Sequence, residues 1–415
     1  MTASLSAPSR DRAAWLDQWL QDLPAPSGAL AAVQARGRQA LSQLPLPSSR
    51  VEEWRFTDLS LLAQLPLSPA SAATGKALAP AEAGVLRLVL DGSSDPLAGV
   101  SLPAGLEPLT ASEIAQGLGH TLAATGCEAH WPVEFNYAAA QSVLALRVKS
   151  RAQVRLELVS SAAGGLLPLR LLLVLEEKAE LELSQLVQMQ GAGLTSLVLE
   201  AHLARSAQLQ HSLVALGDTQ AALLAHLAIE QEPESDAALH NVVSGWGLAR
   251  LEPRVLQVDG QAQTTVRGLQ LVDGRQVADT HSHVQFAGPE GQLDQLHKAV
   301  AAGQGRSVFN GAVQVPRAAQ RTNAAQLSRS LLLSDRARID TKPELEIVAD
   351  DVKCAHGATV SSLQVDELFY LQSRGIDADQ AAALLKRAFC EEVLRELSAA
   401  ARQWCPLERL QLEAR

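Results

Sequence analysis

Apolar residues change their period twice along this chain. Near the start, Trp15, Leu16, Trp19, Leu20 and Leu23 recur at the spacing of one helix face. Leu30, Val33, Gly37, Leu41 and Leu44 continue with a second helix. Residues 63–85, rich in Ala, Pro, Ser and Gly, read as a linker or long loop. From about residue 138 the period falls to two. Val154, Leu156 and Leu158 alternate with Arg155 and Glu157, and Ala179, Leu181 and Leu183 with Glu180 and Glu182. Leu197, Leu199, Ala201 and Leu203 follow, then Leu227 with Ile229, then Leu256 with Val258. Little helical signal separates these runs over roughly 200 residues, which speaks against a parallel sheet with helical crossovers, each of which needs about a dozen residues or more. A sandwich, a barrel or a solenoid remains, and evenly spaced short strands favour the solenoid, although no strict sequence repeat is evident.

The last segment returns to the helical period. Asp366 is expected to cap a short helix through Arg374, with Gly375 at the left-handed position after it. Asp377 opens D-x-x-Q with Gln380, a capping-box pattern. Leu385, Phe389, Val393 and Leu397 then run at i+4, flanked by Leu384 and Ala388. This stripe either docks on the chain's own β-domain or is offered to a partner, and periodicity alone favours the first.

Composition narrows the function classes. The chain has 415 residues, and one domain per roughly 150 residues would give about three. With 47% hydrophobic and 19% charged residues it has the material for a large core. A net charge of −10 argues against nucleic acid, and 3% aromatics against stacking platforms. Cys127, Cys354, Cys390 and Cys405 form no C-x-x-C, which fits reduced thiols in a cytoplasmic chain. The first residues, MTASLSAPSRDRAAW, show no secretory apolar core. The longest apolar stretch, Leu166 to Leu175, is broken by Pro168 and Arg170 and is too short to span a bilayer.

No P-loop, dinucleotide-binding glycine motif, nucleophile elbow or H-E-x-x-H occurs. The acidic pairs Glu52–Glu53 and Asp350–Asp351 read as solvated faces. Two histidine features remain. In THSHVQF, His281 and His283 share a strand face opposite Val284 and Phe286, either as a metal-binding H-x-H or as a polar strand face. In DDVKCAHGAT, an extended backbone puts Cys354 and His356 on one side, and Gly357 permits a close approach. A thiolate and an imidazole suit borderline metals and iron–sulfur clusters; the plainer reading is a buried free cysteine beside a hydrogen-bonded histidine. Two ligands are too few to hold a cluster durably, so this pair suits a transient site completed by another chain.

At these residues the sequence resembles a known family. The segments LDQLHKAV (293–300), VFNGAVQV (308–315), AAQRTNAAQLSRSLLLSDRARIDTKPELEI (318–347), ADDVKCAHGATV (349–360) and LFYLQSRGI (368–376) form a long ordered string, and EEWRFTDL (52–59) adds to it. Together they resemble the SufB/SufD family of SUF iron–sulfur cluster assembly scaffolds. Within it they resemble the SufD branch, because the SufB pattern has His-Glu-Ala where this chain has His356-Gly357-Ala358, and lacks the DDVKC lead-in.

The resemblance implies a mainly β fold: a right-handed parallel β-helix core (136–362) between an N-terminal, largely helical domain (1–135) and a C-terminal helical domain (363–415). It implies a non-catalytic scaffold that pairs with SufB and docks the SufC ATPase, with no ATP on this chain and a homodimer left open when SufB is absent. SufC hydrolysis would rearrange the SufB–SufD interface, where a transient iron–sulfur cluster forms with ligands from SufB. His356 matches the family's cluster-site histidine, and Cys354 a nearby cysteine of less certain role. Phe369, Tyr370, Arg374, Leu385 and Phe389 would face SufC, and this shifts the C-terminal stripe toward partner contact. Whether reduced flavin binds the complex is left open. The competing readings are a SufB-like paralogue and a polysaccharide-active enzyme on a β-solenoid. Neither a membrane nor a nucleic acid is expected as partner.

Overall fold

The structure is a computed structural model that describes residues 8–73 and 78–405, with side chains from residue 14 onward. The first residues of the leader reading, positions 74–77 of the expected linker and positions 406–415 of the last segment lie outside the described residues.

The helical opening forms as its apolar spacing predicts. Helix α1 (Pro8–Asp22) buries Leu16 and Trp19, and the Trp19 ring stacks on Phe135 at 4.5 Å. Helix α2 (Ala31–Gln43) crosses a later helix at Gly37. A Cβ there would lie 2.6 Å from the Glu134 carbonyl and 2.7 Å from Ala138 N, so only glycine lets the two backbones approach. The expected linker contains β1 (Ser71–Ala72), which pairs antiparallel with a solenoid strand. Next come β2 (Val85–Val89), β3 (Leu106–Pro108), α3 (Ala111–Gly117), α4 (His120–Ala124) and α5 (Trp131–Ala139), the helix that receives Gly37.

The period-two region is a parallel β-solenoid of about 8 turns. Its strands are β4 (Leu144–Val148), β5 (Gln153–Leu175), β6 (Glu180–Leu203), β7 (Gln208–Leu216), β8 (Ala222–Gln231), β9 (Asp236–Ser244) and β10 (Leu248–Gln257). They continue as β11 (Gln263–Val272), β12 (Val277–Phe286), β13 (Gln292–Ala301), β14 (Arg306–Val315), β15 (Asn323–Leu332), β16 (Arg338–Ile347) and β17 (Lys353–Ser361). One face stacks β5, β6, β7, β9, β11, β13, β15 and β17; the other stacks β4, β5, β6, β8, β10, β12, β14 and β16. Strands β5 and β6 serve both faces, bending at Gly164 and Gly165 in β5 and at Gly191 and Gly193 in β6.

A repeat invisible as strict sequence appears at one turn of each coil. Arg151, Lys178, Ser206, Glu234, Gln261, Glu290 and Arg321 all hold φ between 56° and 64°. Each is followed by a small residue (Ala152, Ala179, Ala207, Ser235, Ala262, Gly291, Thr322) and then by a polar strand opener. Those openers, from Gln153 through Glu180, Gln208, Asp236, Gln263 and Gln292 to Asn323, are register partners in adjacent coils. The left-handed residue lends its N–H to the next coil's carbonyl: Lys178 N to Arg205 O at 3.1 Å, Gln261 N to Pro289 O at 2.8 Å. The small residue is buried between turns, and Ala179, Ala207 and Ala262 have no exposed area.

Inside, alternating Leu, Val and Ala form one continuous core. It is not wholly apolar. Thr264 donates to Gln231 Oε1 at 2.7 Å, and Gln257 donates to Thr264 Oγ1 at 2.9 Å and to the Gln292 carbonyl at 3.0 Å. Gln257 therefore corrects the expected alternation. Val255 and Gln257 point inward, whereas Leu256 is half-buried and Val258 exposed, because an amide ladder occupies the position that hydrophobicity alone gives to leucine.

The two ends differ. At the first coil β3 pairs antiparallel with β4, and Leu97, Val100 and Leu102 pack over the core. At the last coil β16 pairs only with β14, and β17 only with β15. Beyond it come α6 (Val365–Ser373), α7 (Ala378–Leu394) and α8 (Ala399–Trp404). Asp377 caps α7 by accepting from Gln380 N at 3.0 Å, as expected, and Gly375 is left-handed at φ 86°. Asp366 is not the cap of α6. The cap position is Gln364, and Asp366 lies in the first turn, where its charge still suits the helix dipole.

Because a β-branched residue is strained at positive φ, Arg151→Val is expected to destabilise by about 1–2 kcal/mol. Arg151→Gly and Arg151→Asn should stay within about 0.5 kcal/mol of the parent, measured by thermal unfolding of the three variants side by side.

Candidate functional site

The open end of the solenoid collects the candidate residues from DDVKCAHGAT. Strand β17 is extended, so Cys354 and His356 do project to one side, that of the coil interior. Cys354, half-buried, packs on the end of the core with Ile339, Leu345 and Val352. Burial pushes its thiol pKa up, against a smaller opposing contribution from the Ala324 backbone. His356 is exposed. Its register partner is Gln326, which donates to Gln295 Oε1 at 2.9 Å. Gln295 donates in turn to Ser282 Oγ at 2.6 Å. A column of buried amides thus leads up to His356, and the Gln326 carbonyl oxygen has no partner among the described residues. Sequence reasoning missed this column, because its members are one coil apart and become neighbours only once the coil length is known.

On the outer side of β17, Gly357 continues the column of Leu296 and Leu327. A groove of about 420 Å³ separates this strand from α7, touching His356, Gly357, Glu392 and Arg395. Around the open end Val360, Ile347 and Val348 are 48%, 40% and 56% exposed, and both terminal strands present unpaired edges.

The C-terminal helices divide between two surfaces. Cys390, Val393, Leu394, Leu397, Ala401 and Trp404 dock on Val214, Val242, Leu269, Leu296 and Val300 of the solenoid. Docking on the chain's own β-domain, the reading from periodicity, therefore holds for this half. Phe389 is half-buried, with Lys298 Nζ 4.4 Å from its ring centre, and Leu385 is half-buried too. Helix α6 buries nothing: Phe369 and Tyr370 are exposed, and Arg374 stands 5.2 Å over the Tyr370 ring. Val365 and Leu384 are exposed as well.

His281 and His283 lie on the outer face of β12, with Val284 and Phe286 inside as expected. His281 Nε2 stands 3.0 Å from Asp279 Oδ1. Burial, with Arg254 and His130 nearby, takes His283 down to about 4. Among the described residues, neither this pair nor Cys354 and His356 belongs to a group of three converging metal-ligand side chains.

Comparison with known proteins agrees with this architecture. The family model described as "SUF system FeS cluster assembly, SufBD core domain" matches residues 158–389, from within β5 into α7. The chain belongs to that family. A SufBD family iron–sulfur cluster assembly protein of Synechocystis is 42% identical over 208 residues, covering 50% of this chain and 46% of the relative. The iron–sulfur cluster assembly protein SufD of Escherichia coli is 33% identical over 197 residues, covering 47% of this chain and 46% of the relative. The matched stretch thus spans about half the length of these curated relatives. No helix among the described residues is long and apolar enough to cross a membrane.

The four cysteines should react in a fixed order. Burial raises Cys127, Cys390 and Cys405 to about 11, 12 and 11, and all three are enclosed, whereas Cys354 is half-exposed. Iodoacetamide on the native chain should label Cys354 first, at a rate still climbing through pH 9, with the other three labelled only on unfolding. Peptide mass spectrometry over a pH series reads both.

Proposed function

From membership of the SufBD core family, we propose that this chain is a non-catalytic, SufD-type scaffold subunit for iron–sulfur cluster assembly. Its open solenoid end pairs with a SufB-type chain, and its exposed C-terminal helix docks a SufC-type ATPase. The observation that carries this reading is the last coil. Unpaired parallel strands with exposed apolar residues are hazards in a lone chain, and natural proteins cap or cover them. Here the first coil is capped and the last is left open, with Cys354 and His356 standing on it. A second chain adding its own edge would continue both sheets and bury Val360 and Ile347.

The chemistry follows from the two side chains. His356, exposed on the edge, offers an imidazole to a cluster whose other ligands come from the partner. Cys354 is a half-buried thiol with a raised pKa, and ligation there requires metal to displace its proton. Imidazole leaves fewer thiolates to exchange when the cluster moves on. The iron and sulfide are cargo, and ATP hydrolysis belongs to the docked partner. Phe369 and Tyr370 supply the apolar contact for that partner, while α8 and the later turns of α7 anchor the helices to the solenoid. ATP-driven motion of α6 then reaches the open end through α7, whose Glu392 pairs with Lys298 at 2.5 Å.

Two outcomes test the reading in anaerobic co-expression with SufB-type and SufC-type chains. His356→Ala should leave the complex intact while lowering its bound iron and sulfide by at least about tenfold, since removing even an outer partner of a metal ligand costs that much. Phe369→Ser should release the ATPase subunit with the isolated chain's melting temperature unchanged, since the side chain is 69% exposed. Unchanged cluster content in the first variant would make His356 inert. Unchanged ATPase retention in the second would move the docking surface elsewhere.

A further inference from the structure

We infer that His130, His226 and Glu252 form a binding site for one divalent transition-metal ion of the zinc or iron(II) class. It lies beneath the N-terminal helices on the flank of the solenoid, remote in the fold from the open end. The inference goes beyond the scaffold reading and does not rest on it.

Three elements bring the ligands together. His226 on β8 and Glu252 on β10 are register partners in adjacent coils. His130 is the N-cap residue of α5, which packs against β8. His130 Nδ1 and His226 Nε2 stand 3.4 Å and 3.3 Å from the same atom, Glu252 Oε2. One ligand atom from each residue lies within 4.8 Å of the others. Ligand atoms about 2.1 Å from a shared ion at tetrahedral angles stand roughly 3.4 Å apart, so two edges of the figure are already set.

His226 and Glu252 are both buried, each about 1% exposed. Neither ring nitrogen of His226 makes a hydrogen bond among the described residues, although Nε2 faces a carboxylate at 3.3 Å. An enclosed imidazole that approaches a carboxylate without bonding to it is costly unless something else takes its lone pair. Two imidazoles and one carboxylate are a donor set for zinc or iron(II), with further positions open to water. His130 is partly exposed and gives an ion its route in.

The surrounding charges set the strength. Arg250 Nε donates to Glu252 Oε1 at 2.7 Å and Arg254 Nη2 to Oε2 at 3.1 Å. They orient the carboxylate, as second partners of metal ligands do, but their positive charge opposes a cation. His226 Nδ1 also lacks a partner to brace the ring. Micromolar affinity is therefore expected, below that of a fully braced structural zinc site.

The test uses the untagged full chain, stripped with chelator and titrated anaerobically with cobalt(II) as spectroscopic probe, then with zinc in competition. The expected result is one equivalent of cobalt with visible d–d bands that zinc abolishes. His130→Ala and Glu252→Gln should each weaken binding by at least about tenfold with far-UV circular dichroism unchanged, while Cys354→Ala and His356→Ala bind as the parent does. His130→Ala is the deciding variant, because the half-buried side chain can be removed without opening the core. A parent chain that shows no cobalt bands, or a His130→Ala chain that binds equally well, would overturn the site. Loss of binding in the Cys354 or His356 variants would overturn it too, by placing the ion at the open end.

Discussion

Everything in this molecule hangs on the parallel, in-register hydrogen bonding of one coil to the next. A coil of roughly 30 residues cannot bury its inner face alone, so stability accumulates only as coils stack. Stacking demands that every coil turn at the same place, and the left-handed residue with its small follower meets that demand. It lends an N–H to the coil beyond and leaves room beneath for that coil's turn. The same constraint explains the two ends. A stack has no natural stop: β3 and the preceding loop cap the first coil, whereas β16 and β17 at the last coil keep one edge unpaired.

Much of this was legible in the sequence, and the remainder was hidden for physical reasons. Leucine alternation in β5, β6 and β8 revealed strands, because interior and exterior differ sharply there. It misled at Leu256, where the interior position belongs to Gln257 and its amide ladder. The repeat went unseen because the turn asks for a conformation and a small size, and Arg-Ala-Gln, Glu-Ser-Asp and Arg-Thr-Asn all satisfy it. Knowing only that spacing would have aligned the strand openers, and with them the Gln295–Gln326–His356 column.

The C-terminal stripe carries two signals that point to different surfaces of the helices. Periodicity pointed to self-docking, which Cys390 through Trp404 perform. Family resemblance pointed to a partner, and the surface left for one is α6 with Leu384. The His130–His226–Glu252 group gave no sequence signal, because its members come from three elements that only the coil register and the packing of α5 bring together. Cys354 and His356 needed no such help, since two residues on one short strand share a side by the geometry of extended backbone.

The proposed scaffold role requires the open end to be the place where a second chain continues the solenoid. Amide hydrogen exchange of this chain, alone and in complex with a SufB-type chain, tests that most directly. Rapid exchange is expected in 338–347 and 353–361 when the chain is alone. In the complex those strands should be protected by orders of magnitude, with the first coils unchanged. A complex that forms while these two strands exchange as fast as before would contradict it, and would place the partner on another surface.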